Sequence, residues 1–476
     1  MIRFIGATRV LRAFVVAMSL LAAGCGSGSS STLQNGGAGA AGVVNVDPKV
    51  LLASITTSIQ QPVARALGGW EWGGFLSSFG TLLTSISYTL DMQKVTYQSI
   101  GADGLAHTMT GLLILPRSIF GSKPSVPILM YQHGTEPYRQ YSPSRYLANM
   151  GRPADYPEVM VAAAIASTGY AVAMADYEGL GDNTSPQPYV HGTSLARQVI
   201  DMLRASRDII GGTTGNSSSP CIWNSQLFLM GYSEGGYVTM TTTRELQLNP
   251  NYSAEFTVTA SAPLSGPHDL SGEMRRLMLS NNTSKAPYFL PFLLTGYNYA
   301  YGQPSIFNPL TAMVTPFSAT VPPKFDGFTP ADMISEAMGM AFSPVNLIVP
   351  KSVLTTTFTN LLDTDTLPGS AFDFLRRNDS YRLSQTNTST WKPTVPIRMY
   401  HHRSDELVPY ANSQVAFDAF SSVGAKMHIP KGPGVELLEE PVFLNISPSD
   451  PVKTVHLGAA FPELNDGWKW LDSFKK

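Results

Sequence analysis

The sequence predicts an α/β fold: a mostly parallel sheet with helices on both faces, broken late in the chain by a large, mainly helical insertion. Three observations predict it. Short apolar runs of strand length alternate with helix-length amphipathic stretches from about Val95 to Ala260, the pattern of repeated strand–helix–strand units. Several of those runs are apolar throughout, as expected where both faces of a sheet are covered. The rhythm stops between residues 271 and 392 and resumes at Val395.

The bulk composition suits this reading. The chain has 476 residues, 43% of them hydrophobic and 14% charged, which is material for one large core. The formal net charge is −2 and no dense Lys/Arg run is present, so a nucleic-acid partner is not expected. No CxxC or HExxH spacing occurs, so a metal site is not expected.

Taken in order, Arg3, Arg9 and Arg12 precede an uncharged apolar run over 13–23, too short to span a bilayer and of the form of an export signal. Residues 1–24 are read as a signal peptide. Leu21-Ala22-Ala23-Gly24-Cys25 resembles a bacterial lipobox, which implies a lipid on Cys25 and anchoring of an exported protein to a membrane. Residues 25–46, rich in Gly, Ser and Ala at their start, follow as a flexible tether. With Cys25 so used, Cys221 has no disulfide partner and reads as a surface or semi-buried spectator thiol.

Residues 47–94 read as a helical N-terminal arm. Strands are expected at 107–115, 126–132, 170–175, 226–230 and 256–260, and after the insertion at 395–401 and 426–429. Helices are expected over 158–168, 195–209, from about Gly236, over 413–423 and over 459–474. Residues 95–270 and 393–476 thus form the core. Residues 271–392, with aromatic clusters such as Tyr288-Phe289-Leu290-Pro291-Phe292, form a cap with a small core of its own.

The chemistry centres on Gly231-Tyr232-Ser233-Glu234-Gly235, a G-x-S-x-G between an apolar strand and a helix-compatible stretch. That setting places a serine on a sharp, exposed turn with glycines where side chains would collide with backbone, the nucleophile turn of an α/β-hydrolase fold. A serine hydroxyl needs a base to take its proton and a carboxylate to orient that base, in the chain order Ser, acid, His. His456, placed in a loop just before the last helix, fills the base position, with His428 as fallback. Asp405, in a loop after the first strand past the insertion, fills the acid position, with Glu406 and Asp269 as rivals. His401 and His402 end that strand and read as structural. The oxyanion needs two N–H donors: one from Glu234, and one from Thr135 or Gly134 in the loop His133-Gly134-Thr135. His133 reads as fixing that loop.

His133-Gly134-Thr135, Asp176-Tyr177-Glu178-Gly179-Leu180-Gly181, Tyr232-Ser233-Glu234-Gly235-Gly236 and the Asp405–Pro409 loop together resemble the secretory lipase (lipase-A-like) family. The resemblance covers about residues 95–475 outside the insertion. It implies hydrolysis of acyl esters without cofactor, a cap over the site, and Ser233, Asp405 and His456 as triad. The apolar insertion favours a hydrophobic ester as substrate. A serine aminopeptidase on the same scaffold, which needs an acidic cluster for a substrate amine, is the alternative; a non-catalytic surface lipoprotein is the other.

Overall fold

The computed structural model describes residues 42–59, 70–80, 82–83, 88–211, 218–302, 306–340, 347–364, 367–442, 444–447, 450 and 453–476. The signal peptide, Cys25 and the tether up to residue 41 lie outside the described residues. Nine strands form one sheet: β1 (Val43–Val46), β2 (Tyr88–Ile100), β3 (Ala106–Ser118), β4 (Ser125–Gln132), β5 (Ala171–Ala175), β6 (Ile222–Tyr232), β7 (Val258–Leu264), β8 (Pro396–His401) and β9 (Gly434–Glu439). Their order is β1-β2-β3-β5-β4-β6-β7-β8-β9. Pairing is antiparallel from β1 through β5 and parallel from β5 to β9.

The apolar strands are covered on both faces. In β6, Leu227 and Leu229 join one buried cluster while Phe228 and Met230 join another, because successive side chains leave a strand on opposite sides. The first cluster takes the inward faces of the helices Gly192–Ile210 and Glu234–Leu248, through Leu195, Val199, Met202 and Val238. The second takes Pro157–Ala166, whose alanines allow close approach, and the last helix, Val455–Asp472, through Phe461, Leu464 and Leu471. Each fully buried Leu, Phe or Met contributes roughly 1.5–3 kcal/mol of apolar transfer.

The structure differs from the sequence reading at several places. The sheet starts earlier: Val43–Val46, read as tether, pairs with β2, and Tyr88 to Lys94, read as arm, is already strand. Asp91 within β2 is buried against the Arg117 guanidinium of β3, so a charged residue interrupts the expected alternation. The last strand is Gly434–Glu439 and not 426–429, whose backbone makes only a bridge at Met427 to Val435. Cys221 is fully buried, not at the surface, and burial pushes its thiol up to about 12, an unreactive setting.

Between β7 and β8 lie short helices, among them Phe289–Tyr301, Ala331–Ala337, Thr356–Thr364 and Ala371–Arg377. They do not enclose a separate core. Phe292, Phe307, Ile334 and Phe374 belong to the same cluster as Leu195 and Tyr237 beneath the sheet. The joint is aromatic: Tyr189 of the main body stacks on Phe292 at 4.5 Å and 7°, and Phe292 stacks on Phe325 at 4.7 Å and 4°.

Candidate active site

Strand β6 delivers Tyr232, and the chain turns at once into the helix Glu234–Leu248. Ser233 sits between them at φ 60°, ψ −124°, a region L residues avoid. Its N–H is held by the Leu264 carbonyl at 3.0 Å. The glycines around it are required by close backbone approach. A Cβ on Gly231 would meet the Gln132 oxygen at 2.5 Å, one on Gly235 the same oxygen at 2.0 Å, and one on Gly236 the Leu264 oxygen at 2.2 Å.

Three residues far apart in sequence meet at this turn. His456 Nε2 lies 2.8 Å from Ser233 Oγ, and His456 Nδ1 lies 2.5 Å from Asp405 Oδ2. His456 occupies the first turn of the last helix, capped by the Thr454 hydroxyl on the Leu457 N–H, and not the loop before it. The other oxygen of Asp405 accepts the N–H groups of Leu407 at 3.0 Å and Val408 at 2.8 Å. Burial alone would raise this carboxyl; the imidazoles of His456 and His401 outweigh it and hold Asp405 well below the usual carboxylate range. Ser233 is 8% exposed, so it is reachable but shielded from bulk water.

The rival residues are engaged elsewhere. Glu406 accepts the Val455 N–H from both oxygens. Asp269 accepts the Glu273 N–H and the Tyr381 hydroxyl. His428 packs on Phe417. His401 binds the Ser413 hydroxyl and the Val408 carbonyl, which steadies the loop carrying Asp405. His133 faces the carbonyls of Gly134 and Asp176 and stacks on Tyr177 at 4.1 Å, so it fixes its loop as expected.

The structure separates the two upstream oxyanion candidates. The Gly134 N–H is taken by both oxygens of Glu158, each at 3.0 Å, so Gly134 is not the free donor. The N–H of Thr135 has no acceptor among the described residues, and the N–H of Glu234 opens a helix whose first-turn donors lack intrahelical partners. The side chain of Glu234 is buried, which pushes its carboxyl up to about 8.

Two supports were invisible in the sequence. The Tyr232 hydroxyl donates to the His456 carbonyl at 2.5 Å, tying the helix of the base to the strand of the serine. Glu463, two turns along the helix from His456, accepts the His402 N–H at 2.9 Å and the Ser265 hydroxyl at 2.7 Å. It thereby pins the ends of β7 and β8, and burial pushes it up to about 8. A tyrosine inside a G-x-S-x-G was the only available signal; nothing marked Glu463.

An apolar cleft is lined by Leu270, Met274, Met278, Phe289 and Leu293 and edged by Tyr189, whose hydroxyl is 3.2 Å from the Thr135 hydroxyl. An adjoining cleft shares Met274, Met278 and Phe289 and reaches Glu406 and Leu407. Elsewhere, Asp103, His107 and Glu178 gather ligand-type atoms within 4.8 Å of one another. Their capacity is already used: His107 lies 3.0 Å from both Asp103 oxygens, and Glu178 accepts from Tyr299, Ala102 and Gln198.

Residues 153–277 match the model of the family described as secretory lipase. A rice cell wall degrading esterase, LipA from Xanthomonas oryzae, is similar at 25% identity and TM-score 0.65, over 83% of this chain and 95% of that one. A protein from Legionella pneumophila is similar at 23% identity and TM-score 0.65, over 90% and 95% of the two chains. Candida antarctica lipase A is similar at 15% identity and TM-score 0.52, over 76% and 74%. A search among curated proteins finds no match. The fold is the α/β-hydrolase fold, and the resemblance to secretory lipases read from the motifs is borne out.

Proposed function

We propose that this secretory-lipase-like chain is a serine hydrolase of carboxylic esters, acting through an acyl-enzyme on Ser233. The observation that carries the reading is the hydrogen-bonded chain from Ser233 Oγ through His456 to Asp405, at 2.8 and 2.5 Å, beneath a serine held at positive φ. The family match and the esterase and lipase neighbours support the ester class.

In the proposed reaction, neutral His456 takes the Ser233 proton through Nε2 as Oγ attacks the ester carbonyl. The N–H groups of Glu234 and Thr135 meet the developing oxyanion. Asp405 stays ionised and stabilises the imidazolium. His456 then gives the proton to the leaving alkoxide, which departs as alcohol. Water attacks the acyl-enzyme, passing one proton to His456, which returns it to Ser233 as the acid leaves. The acyl chain lies in the apolar cleft at Met274, Met278 and Phe289, which favours medium or long chains.

A nitrophenyl ester series run beside Ser233→Ala tests this reading. Activity that rises beyond acetyl and vanishes in the variant is expected; hydrolysis of an aminoacyl amide with none of any ester would overturn it. No helix among the described residues is long and apolar enough to cross a membrane. The secretory family description supports export, and we read Cys25 as the site of a lipid anchor; metabolic lipid labelling that persists in Cys25→Ser would refute the anchor.

A further inference from the structure

Glu158 is a buried carboxyl that the proposed reaction does not use. It stands in the first turn of the helix Pro157–Ala166, and among the described residues no Lys, Arg or His lies at ion-pair distance from it. A carboxyl removed from water without a cation is costly, so such a group persists where hydrogen bonds hold it. Glu158 has donors from one segment only. Both oxygens lie 3.0 Å from the Gly134 nitrogen, and Oε1 also accepts the Tyr131 hydroxyl at 3.1 Å. Tyr131 and Gly134 flank the end of β4, where the chain leaves the sheet toward Thr135.

Gly134 lies between this carboxyl and the nucleophile. A Cβ placed on it would stand 3.7 Å from Glu158 Oε2 and 3.7 Å from Ser233 Cβ. The next peptide carries the Thr135 N–H. We propose that Glu158 is a positioning residue: by clamping the Gly134 N–H, its carboxylate fixes where the Thr135 N–H points when the oxyanion forms. The proposal rests on the reading of Ser233 as nucleophile.

An ionised carboxylate only accepts hydrogen bonds, so an N–H can sit equidistant from both oxygens. Protonation, or replacement by an amide, leaves one acceptor oxygen and puts a donor on the other, so the two-oxygen clamp on the Gly134 N–H is reduced to a single bond and its direction is no longer fixed. Burial pushes Glu158 up to about 7. The other titratable groups near it are Tyr131, Tyr177, Glu136 and Glu234; burial pushes both acids up to about 8 and raises both tyrosines further above their ordinary range. Below neutrality, therefore, the clamp on the Gly134 N–H is lost as Glu158 takes up its proton, and turnover falls with it.

The test measures kcat, KM and the pH dependence of kcat on a soluble nitrophenyl ester for wild type, Glu158→Gln, Glu158→Asp and Ser233→Ala, with thermal melts to establish folding. Glu158→Gln is expected to lower kcat about ten- to a hundredfold with little change in KM, as for a donor displaced by a fraction of an ångström to an ångström. The acid limb of log kcat is expected to be steeper in wild type than in Glu158→Gln, by the one proton that Glu158 takes up. A folded Glu158→Gln with wild-type kcat, or with an acid limb as steep as that of wild type, overturns the proposal. If Glu158→Gln does not fold, Glu158→Asp serves: it keeps the charge but withdraws it by one methylene, and an undiminished kcat there overturns the proposal equally. Retained hydrolysis by Ser233→Ala would instead sink the nucleophile reading on which this one stands.

Discussion

Gly235→Ala is the sharpest perturbation the structure offers. The added methyl would stand 2.0 Å from the Gln132 oxygen, 2.7 Å from the Gln132 carbon and 2.8 Å from the His133 oxygen. A carbon rests about 3.3 Å or more from a carbonyl oxygen, so the helix Glu234–Leu248 and the end of β4 must part by roughly 1.3 Å. All three obstacles are backbone, so no rotamer change relieves them. Overpacking of this kind costs about 1–3 kcal/mol, and the upper end applies here because the strand is central. The same displacement moves Ser233 relative to the Thr135 N–H, which predicts a loss of about a hundredfold in kcat/KM. Gly134→Ala is the control for stability: its methyl would find the Tyr232 oxygen at 3.4 Å and nothing closer. Urea denaturation midpoints and kcat/KM on a nitrophenyl ester decide the matter. A Gly235→Ala protein as stable and active as wild type, or a Gly134→Ala protein equally destabilised, would refute the argument from close approach.

Asp405→Asn should keep KM but lower kcat about 10³–10⁴-fold, since an amide cannot hold the imidazole with Nδ1–H inward and Nε2 free; steady-state kinetics check this. Glu463 is held protonated by burial up to about 8 against an ordinary 4.5, so the stability it supports is full below about 4.5 and falls by up to about 1.4 kcal/mol per pH unit toward 8. Glu463→Gln can still accept from His402 and donate to Ser265, so it should flatten the decline in Tm between those limits; an unchanged slope in thermal melts contradicts this. Phe292→Ala empties the middle of the Tyr189–Phe292–Phe325 stack and should cost about 3–5 kcal/mol. Limited proteolysis should then cut first between β7 and β8.

The sequence made legible what depends on neighbours in the chain. Ser233 could be singled out because strand, turn and helix are contiguous, and Asp405 and His456 because each was read in a loop beside an element, in a fixed order along the chain. Hidden features rest on contacts between distant segments. Asp91 is a charge inside β2 that only Arg117, across the ladder on β3, makes compatible with a buried strand. In β9, Glu436 is sheltered by Arg398 of β8, so a charge interrupts the apolar run that would have marked this edge strand. Gly134 and Thr135 present adjacent N–H groups, and only the direction of Glu158, 24 residues on, tells which one is occupied. Glu463 is one acid among several on an amphipathic helix until the ends of β7 and β8 close upon it.

The short helices between β7 and β8 have a bearing on how such an enzyme diversifies. None of those named exceeds the 13 residues of Phe289–Tyr301, and they meet the main body through side-chain packing rather than sheet pairing. Replacing one segment therefore alters the wall of the cleft at Phe289 and Met278 without disturbing the backbone ladder that carries Ser233. By contrast, the turn at Gly231, Gly235 and Gly236 tolerates no drift. Laboratory evolution for a new acyl group has its freedom in one part of the chain and its fixed point in the other, and a mutational library confined to residues 271–392 is the economical one to build.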